Sequence, residues 1–208
     1  MGSRIHPRKP SSSSSSSCST ERETYTIWMK SLVLNSNGYT VFDSSGEVVY
    51  RIDNYDSKSR SEVYLMDLRG NIVCTILRKK LLRMLGLWDC YNSDKDCSRP
   101  WFRVGKTFGL FKNSWVYNVL VGNNNEQQGK HITSSCSSNH HKMEGLVHSL
   151  EFKIIDGEGQ VAAVVERKRS SLGVVLGEDV LCVTVEPHVD CIFVMALVAI
   201  HGLSCGRM

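Results

Sequence analysis

Several signatures of catalysis and of membrane passage are missing from this 208-residue chain. It has no G-x-S-x-G elbow, no P-loop and no G-x-G-x-x-G turn, so no hydrolase nucleophile or nucleotide-phosphate cradle is signalled. Its eight cysteines (18, 74, 90, 97, 136, 182, 191 and 205) include no C-x-x-C pair, the arm that zinc and dithiol sites use. The first twenty residues lack the apolar core of a secretory signal. Scattered cysteines without such a signal set the expectation of reduced thiols in the cytosol or nucleus, and of a protein that is not secreted. Gly2 invites N-myristoylation, but position six is His6, where the motif wants Ser or Thr. Acid is absent before Glu21, while Arg4, Arg8 and Lys9 precede an unbroken serine run at 11–17. Such a segment cannot bury apolar surface, so residues 1–23 are expected to be a disordered tail. Its basic, Ser-rich composition also describes an organelle transit peptide, though it shows no amphipathic face.

What is present suits one domain: 41% hydrophobic residues, 22% charged residues and a mild net charge of +4. One phrase occurs three times. Asp43-Ser-Ser-Gly46-Glu-Val48, Asp67-Leu-Arg-Gly70-Asn-Ile72 and Asp156-Gly-Glu-Gly159-Gln-Val161 all read D-x-x-G-x-[VI]. Asp opens a turn because its carboxylate bonds backbone N–H groups two residues on, and Gly supplies positive φ. With β-rich runs on both sides, each phrase predicts a hairpin, and the three carboxylates read as turn formers rather than catalysts. The fold class is therefore antiparallel β.

Further strands are expected at 25–34, 101–104, 107–111, 115–121, 146–155, 173–176 and 180–185, from their aromatic and β-branched content. Residues 78–88 mix base with leucine and read as a strand end plus a turn, the alternative being a short basic amphipathic helix broken by Gly86. Residues 122–145 are rich in Asn, Ser, His and Gln and read as a long mobile surface loop. Residues 189–200 are apolar at nearly every position and follow Pro187. At about 1.5 Å per residue this helix spans roughly 18 Å, short of the about 20 residues that cross a bilayer. A helix apolar all round must be surrounded on every side, and about ten strands closing around it would do so.

Four stretches carry a family resemblance: Trp28-Met-Lys-Ser-Leu32, Gly46-Glu-Val-Val-Tyr-Arg-Ile-Asp-Asn-Tyr55, Tyr64-Leu-Met-Asp67 and Phe193-Val-Met-Ala-Leu-Val198. In this order they resemble the plant LURP-one-related family, over about residues 24–200. That family is similar in fold to the tubby C-terminal domain and to phospholipid scramblases. The resemblance implies a mainly β domain over 24–203, a closed antiparallel barrel of about twelve strands around a central hydrophobic helix. It also implies a plant source and a link to defence or stress signalling, and supplies no enzymatic activity and no cofactor. Tubby domains bind phosphoinositide headgroups through surface Lys and Arg, but no matching residue set aligns here. The palmitoylated cysteine cluster of the scramblases has no counterpart among these isolated cysteines.

Basic residues gather at Arg78, Lys79, Lys80 and Arg83, and again at Arg167, Lys168 and Arg169, each set following a hairpin of the repeated type. Repetition in one barrel would put both sets near one rim, where they could pair with lipid phosphates at about 1 kcal/mol each. The alternative is a solvated strand end with no ligand. Metal-ligand types occur at His131, Cys136, His140, His141 and His148, without zinc spacing. Asp53, Asp56, Asp94 and Asp96 lack the EF-hand pattern. Cys90 and Cys97 flank a polar loop, and a cytosolic setting disfavours their pairing. The expectation is a non-enzymatic monomer, cytoplasmic, at the plasma membrane or nuclear, that binds anionic phospholipid or phosphoinositide. A protein-interaction or transcription-linked module is the alternative.

Overall fold

The computed structural model describes residues 18–31, 37–54, 62–79, 86–93, 99–107, 113–122 and 140–207. In chain order the strands are β1 Glu23–Trp28, β2 Asn37–Phe42, β3 Val48–Asn54, β4 Glu62–Asp67, β5 Ile72–Arg78 and β6 Trp88–Asn92. They continue as β7 Phe102–Thr107, β8 Ser114–Val121, β9 His140–Leu146, β10 Phe152–Ile155, β11 Val161–Arg167 and β12 Val180–Val185, followed by helix α1, Cys191–Ser204. Each strand runs antiparallel to its chain neighbour, and β12 pairs with β1 to close a barrel. The expected fold, a closed antiparallel barrel around a C-terminal helix, is the one found. Closure leaves no unpaired sheet edge.

Alternating strand direction fixes what lies at each end. Connections that follow even-numbered strands share one end, and connections that follow odd-numbered strands share the other. The three D-x-x-G turns, β2–β3, β4–β5 and β10–β11, therefore stand together. In each, the Asp Oδ1 accepts from two backbone N–H groups: Ser45 and Glu47 for Asp43, Arg69 and Asn71 for Asp67, Glu158 and Gln160 for Asp156. Gly46, Gly70 and Gly159 hold φ of 86°, 82° and 84°, a region open to glycine at no steric cost. The carboxylates are turn formers, as their sequence context implies.

Helix α1 begins at the D-x-x-G end, where Asp190 caps it by accepting from the Ile192 and Phe193 N–H groups. It ends at the opposite mouth of the barrel. Along α1, Met195, Leu197 and Ile200 are wholly buried. Inward-facing residues of the wall, among them Ile27, Ile52, Leu65, Val119 and Ile154, are equally inaccessible. Ala196, Ala199 and Gly202 let the wall approach closely. A Cβ on Gly202 would overlap the Tyr39 hydroxyl.

Several local expectations change. The strand expected over 146–155 is reduced to β10, because residues 147–151 form the turn that follows β9. The loop expected over 122–145 ends early, because its last residues form β9. Only Met143 of that strand is fully buried, so a polar sequence alternating around one apolar residue conceals it. Residues 123–139, with His131 and Cys136, lie outside the described residues, as do residues 1–17 of the expected tail, Asp56, Asp94, Asp96 and Cys97. The strand expected at 173–176 is instead a connection with a single bridge, Arg169 to Val175, because a turn closes at Gly173 with φ of 78°. The helix starts at Cys191 and runs on to Ser204. Finally, Cys74 and Cys90 form a disulfide inside the barrel, so these two are not the reduced thiols expected. The β5–β6 register sets Cys90 opposite Ile76, two residues from Cys74 on the same inner face; spacing in sequence does not reveal that.

One polar group sits deep in this core. The His201 ring stacks on Trp115 with centroids 4.2 Å apart and is 2% exposed. Burial lowers its pKa from 6.5 to about 4, against a weaker opposing effect of the Ser149 carbonyl.

Two outcomes are expected. Met195→Asp should abolish cooperative folding, since an unpaired charge in this environment is very costly; a soluble variant with a sharp melting transition would contradict the buried-helix assignment. The second concerns pH. Between about 6.5 and 4 the unfolded chain takes up a proton at His201 that the folded barrel does not, so stability rises with pH across this window. His201 contributes fully above pH 6.5, and about 3 kcal/mol is lost by pH 4. Burial lowers the His141 pKa too, which acts in the same direction. Denaturant midpoints for His201→Phe should fall less steeply between pH 6.5 and 4 than those of the parent chain.

Candidate functional site

The sequence-derived basic clusters follow β5 and β11. Both strands are odd-numbered, so both clusters lie at the mouth opposite the D-x-x-G turns. In the ring of strands, β5 and β11 are separated by half the circumference. The clusters therefore share an end but face each other across the barrel, and they do not converge on one headgroup. Lys80 and Arg83 lie outside the described residues.

The β5 cluster is largely committed to the fold. Lys79 Nζ stands 2.8 Å from Asp89 Oδ2, and Arg103 Nε donates to Asp89 Oδ1 at 2.7 Å. Burial pushes the Asp89 carboxyl upward, but the bonds from Arg103 and Lys79 outweigh it and hold it below its ordinary range. The hydrogen bond to Asp89 in turn raises the Lys79 pKa. Arg78 continues the inward parity of Cys74 and Ile76. Its guanidinium lies 5.4 Å from the Trp88 ring centroid, and its Nε is buried without a hydrogen-bond partner.

The β11 cluster differs. It opens a twelve-residue connection to β12 whose apolar side chains point into water: Leu172 is 89% exposed, Val174 63% and Leu176 57%. Lys168 Nζ donates to Thr26 Oγ1 at 3.1 Å and Arg169 to the Gly173 carbonyl at 3.3 Å. Among the described residues, none of Arg167, Lys168 and Arg169 joins an ion pair with a carboxylate. The neighbouring β9–β10 turn adds Leu146 and Val147, 65% and 41% exposed. Cations and aliphatic groups thus share one sector of the rim with Glu151, which accepts from the Arg167 N–H, and with Glu178 and Asp179 at the end of the same connection.

Sequence reasoning did not find two further cations, Lys106 and Arg207. They line a cleft of about 330 Å³ where α1 emerges, together with Tyr117, His148, Ser149 and Ser204. Burial raises the Cys205 thiol pKa there, while Arg207 and Lys106 pull it back. The two bases stand at positions 106 and 207, and neither has a basic residue directly beside it in sequence. Strand topology alone unites them. Strand parity offers the one usable signal, since Lys106 ends an odd strand and α1 must exit at the same mouth.

Among the described residues the other end is richer in carboxylates: Asp43, Asp67, Asp156, Glu158, Glu186 and Asp190 belong to turns or caps there, beside Arg69 of the β4–β5 turn and Arg22, which pairs with Glu186. Among the described residues, no group of His, Cys, Asp and Glu is arranged to hold a metal ion.

Comparison with known proteins places this architecture. The family model described as LURP-one-related matches residues 23–202. Protein LURP-one-related 11 of Arabidopsis thaliana is 39% identical over 215 residues, covering 96% of this chain and 87% of that protein. Protein LURP-one-related 3 of the same plant is 43% identical over 189 residues, 89% of this chain and 81% of that protein. A solved X-ray structure of an Arabidopsis thaliana protein superimposes with a TM-score of 0.60 at 17% identity, over 92% of this chain and 95% of that one; this likeness concerns the fold alone.

Proposed function

The chain belongs to the LURP-one-related family, and from that premise we propose that it is a non-enzymatic module that docks its basic mouth on an anionic phospholipid surface. The observation that carries this reading is the β11–β12 connection, where Arg167, Lys168 and Arg169 stand beside exposed Leu172, Val174 and Leu176. Aliphatic side chains beside cations suit a headgroup layer, because each group meets its preferred environment within a few ångströms of depth. Three cations contribute about 1 kcal/mol each near such a surface, and a buried aliphatic side chain about 1.5–3 kcal/mol. Together these reach roughly the 8 kcal/mol of a micromolar, reversible association. Lys79 and Lys106 belong to the same end of the barrel, so a flat surface engages what a single headgroup cannot. No helix among the described residues is long and apolar enough to cross a membrane. The barrel interior is filled by α1, which supports binding rather than turnover. On this reading the recruitment serves plant defence or stress signalling at the cytoplasmic face of the plasma membrane.

Vesicle sedimentation tests the reading. The parent chain should bind phosphatidylcholine vesicles containing phosphatidylserine or phosphoinositide, and bind pure phosphatidylcholine poorly. Neutralising Arg167, Lys168 and Arg169 to Gln should weaken binding on the order of 100-fold at low salt. Raising salt from 0.1 to 1 M should mimic that loss, as the Debye length shrinks from about 10 to about 3 Å. Leu172, Val174 and Leu176 changed to Ser should weaken binding with little salt dependence. Melting temperatures should move little: Arg169, Leu172, Val174 and Leu176 are exposed, and half-buried Arg167 and Lys168 form no ion pair among the described residues. A parent chain indifferent to anionic vesicles at low salt would reject the lipid reading and leave a protein partner as occupant of the same surface.

A further inference from the structure

The acidic end holds a second cleft, of about 460 Å³, between the start of α1 and the β10–β11 turn. Its chemistry is the reverse of the basic mouth. Trp101, His141 and Phe193 form an aromatic wall: Phe193 lies between the other two, with centroids 5.9 Å from Trp101 and 5.0 Å from His141. Asp156, Glu158 and Asp190 edge the opening, and among the described residues no Lys or Arg lines it. Among the described residues, none of these three carboxylates joins an ion pair. Asp156 and Asp190 each spend Oδ1 on backbone N–H groups of turn and helix, and neither Oδ2 meets a protein donor. His141 Nδ1 is buried on this wall without a hydrogen-bond partner.

We propose that this cleft is a binding site for an organic cation, an alkylammonium or guanidinium group whose stem lies on the aromatic wall and whose head meets the three carboxylates. Rings attract cations through their electron-rich faces, most strongly where water is excluded. Alkyl stems of Lys and Arg cover apolar surface while their heads reach polar groups. Burial lowers the His141 pKa, which disfavours a repelling positive charge on this wall. His188, beside the opening, holds φ of 65°. Such backbone persists only when its surroundings enforce it, and it is found at ligand clamps.

Two sources supply this chemistry: a free cation or basic peptide, and the chain's own beginning. The first described residues run along the cleft edge, with Cys18 bridged to Asp190 and the Ser19 carbonyl accepting from His188 N–H at 2.7 Å. Arg4, Arg8 and Lys9 precede them, in a stretch with no acid.

The test is an NMR titration of the full chain with n-butylguanidinium chloride, with n-butanol as the uncharged counterpart. Saturable shifts of the Trp101 and His141 resonances are expected with the cation and not with the alcohol. Glu158 has an exposed side chain outside the fold's hydrogen bonds, so Glu158→Lys should fold normally and weaken the cation roughly tenfold. Glu158→Gln should lie between. Tighter binding after Arg4, Arg8 and Lys9 are changed to Gln in the full chain would assign the site to the chain's own basic segment, and unchanged binding would assign it to an external cation. Absence of saturation, equal binding of n-butanol, or full affinity in Glu158→Lys would overturn the proposal.

Discussion

Everything in this molecule depends on enclosing one helix that has no polar face. From Cys191 to Leu203 nearly every side chain of α1 is buried, so no two- or three-layer packing would suffice; a partner must surround it. A single antiparallel sheet does so only by closing on itself, which also removes the exposed edges that invite aggregation. The small residues Ala196, Ala199 and Gly202 set how closely the wall approaches, and Tyr39 fills the space that Gly202 leaves. Because the helix occupies the interior, ligand chemistry is displaced to the two ends, where connections and side-chain tips meet water.

The ends differ because of turn chemistry. Tight hairpins closed by Asp and Gly recur after even strands, and each brings a carboxylate that the turn itself uses. The N-cap of α1 adds Asp190 to the same end. Among the described residues, the connections after β9 and β11 are built otherwise, with exposed Leu146, Val147, Leu172, Val174 and Leu176, and Lys or Arg stands at the ends of β5, β7 and β11. Charge asymmetry along the barrel axis is thus a consequence of which connections form Asx turns, at least as much as of any ligand requirement.

The hairpins and the helix were legible in the sequence because both rest on local rules, Asp–Gly turn geometry and unbroken apolarity. Closure around the helix followed from the same apolarity. What resisted reading is non-local. His140 to Gly145 reads as loop because only Met143 commits to the core; pairing with β8 and β10 makes it a strand. Arg78 and Lys79 read as one basic cluster, yet strand parity sends Arg78 inward against Trp88 and Lys79 outward to Asp89. Lys106 and Arg207 meet only through topology. The Cys74–Cys90 bond depends on the β5–β6 register, which no local motif encodes.

The two ends act as separate electrostatic objects. Strands of six or seven residues at about 3.3 Å each put roughly 20 Å between them, well beyond the Debye length of about 8 Å at physiological salt. Neither end therefore cancels the field of the other, despite a net charge of only +4. A surface that holds the basic mouth leaves the aromatic and acidic cleft directed away from it. The rigid, helix-filled barrel between them fixes that orientation, so whatever occupies one end determines where the other is presented.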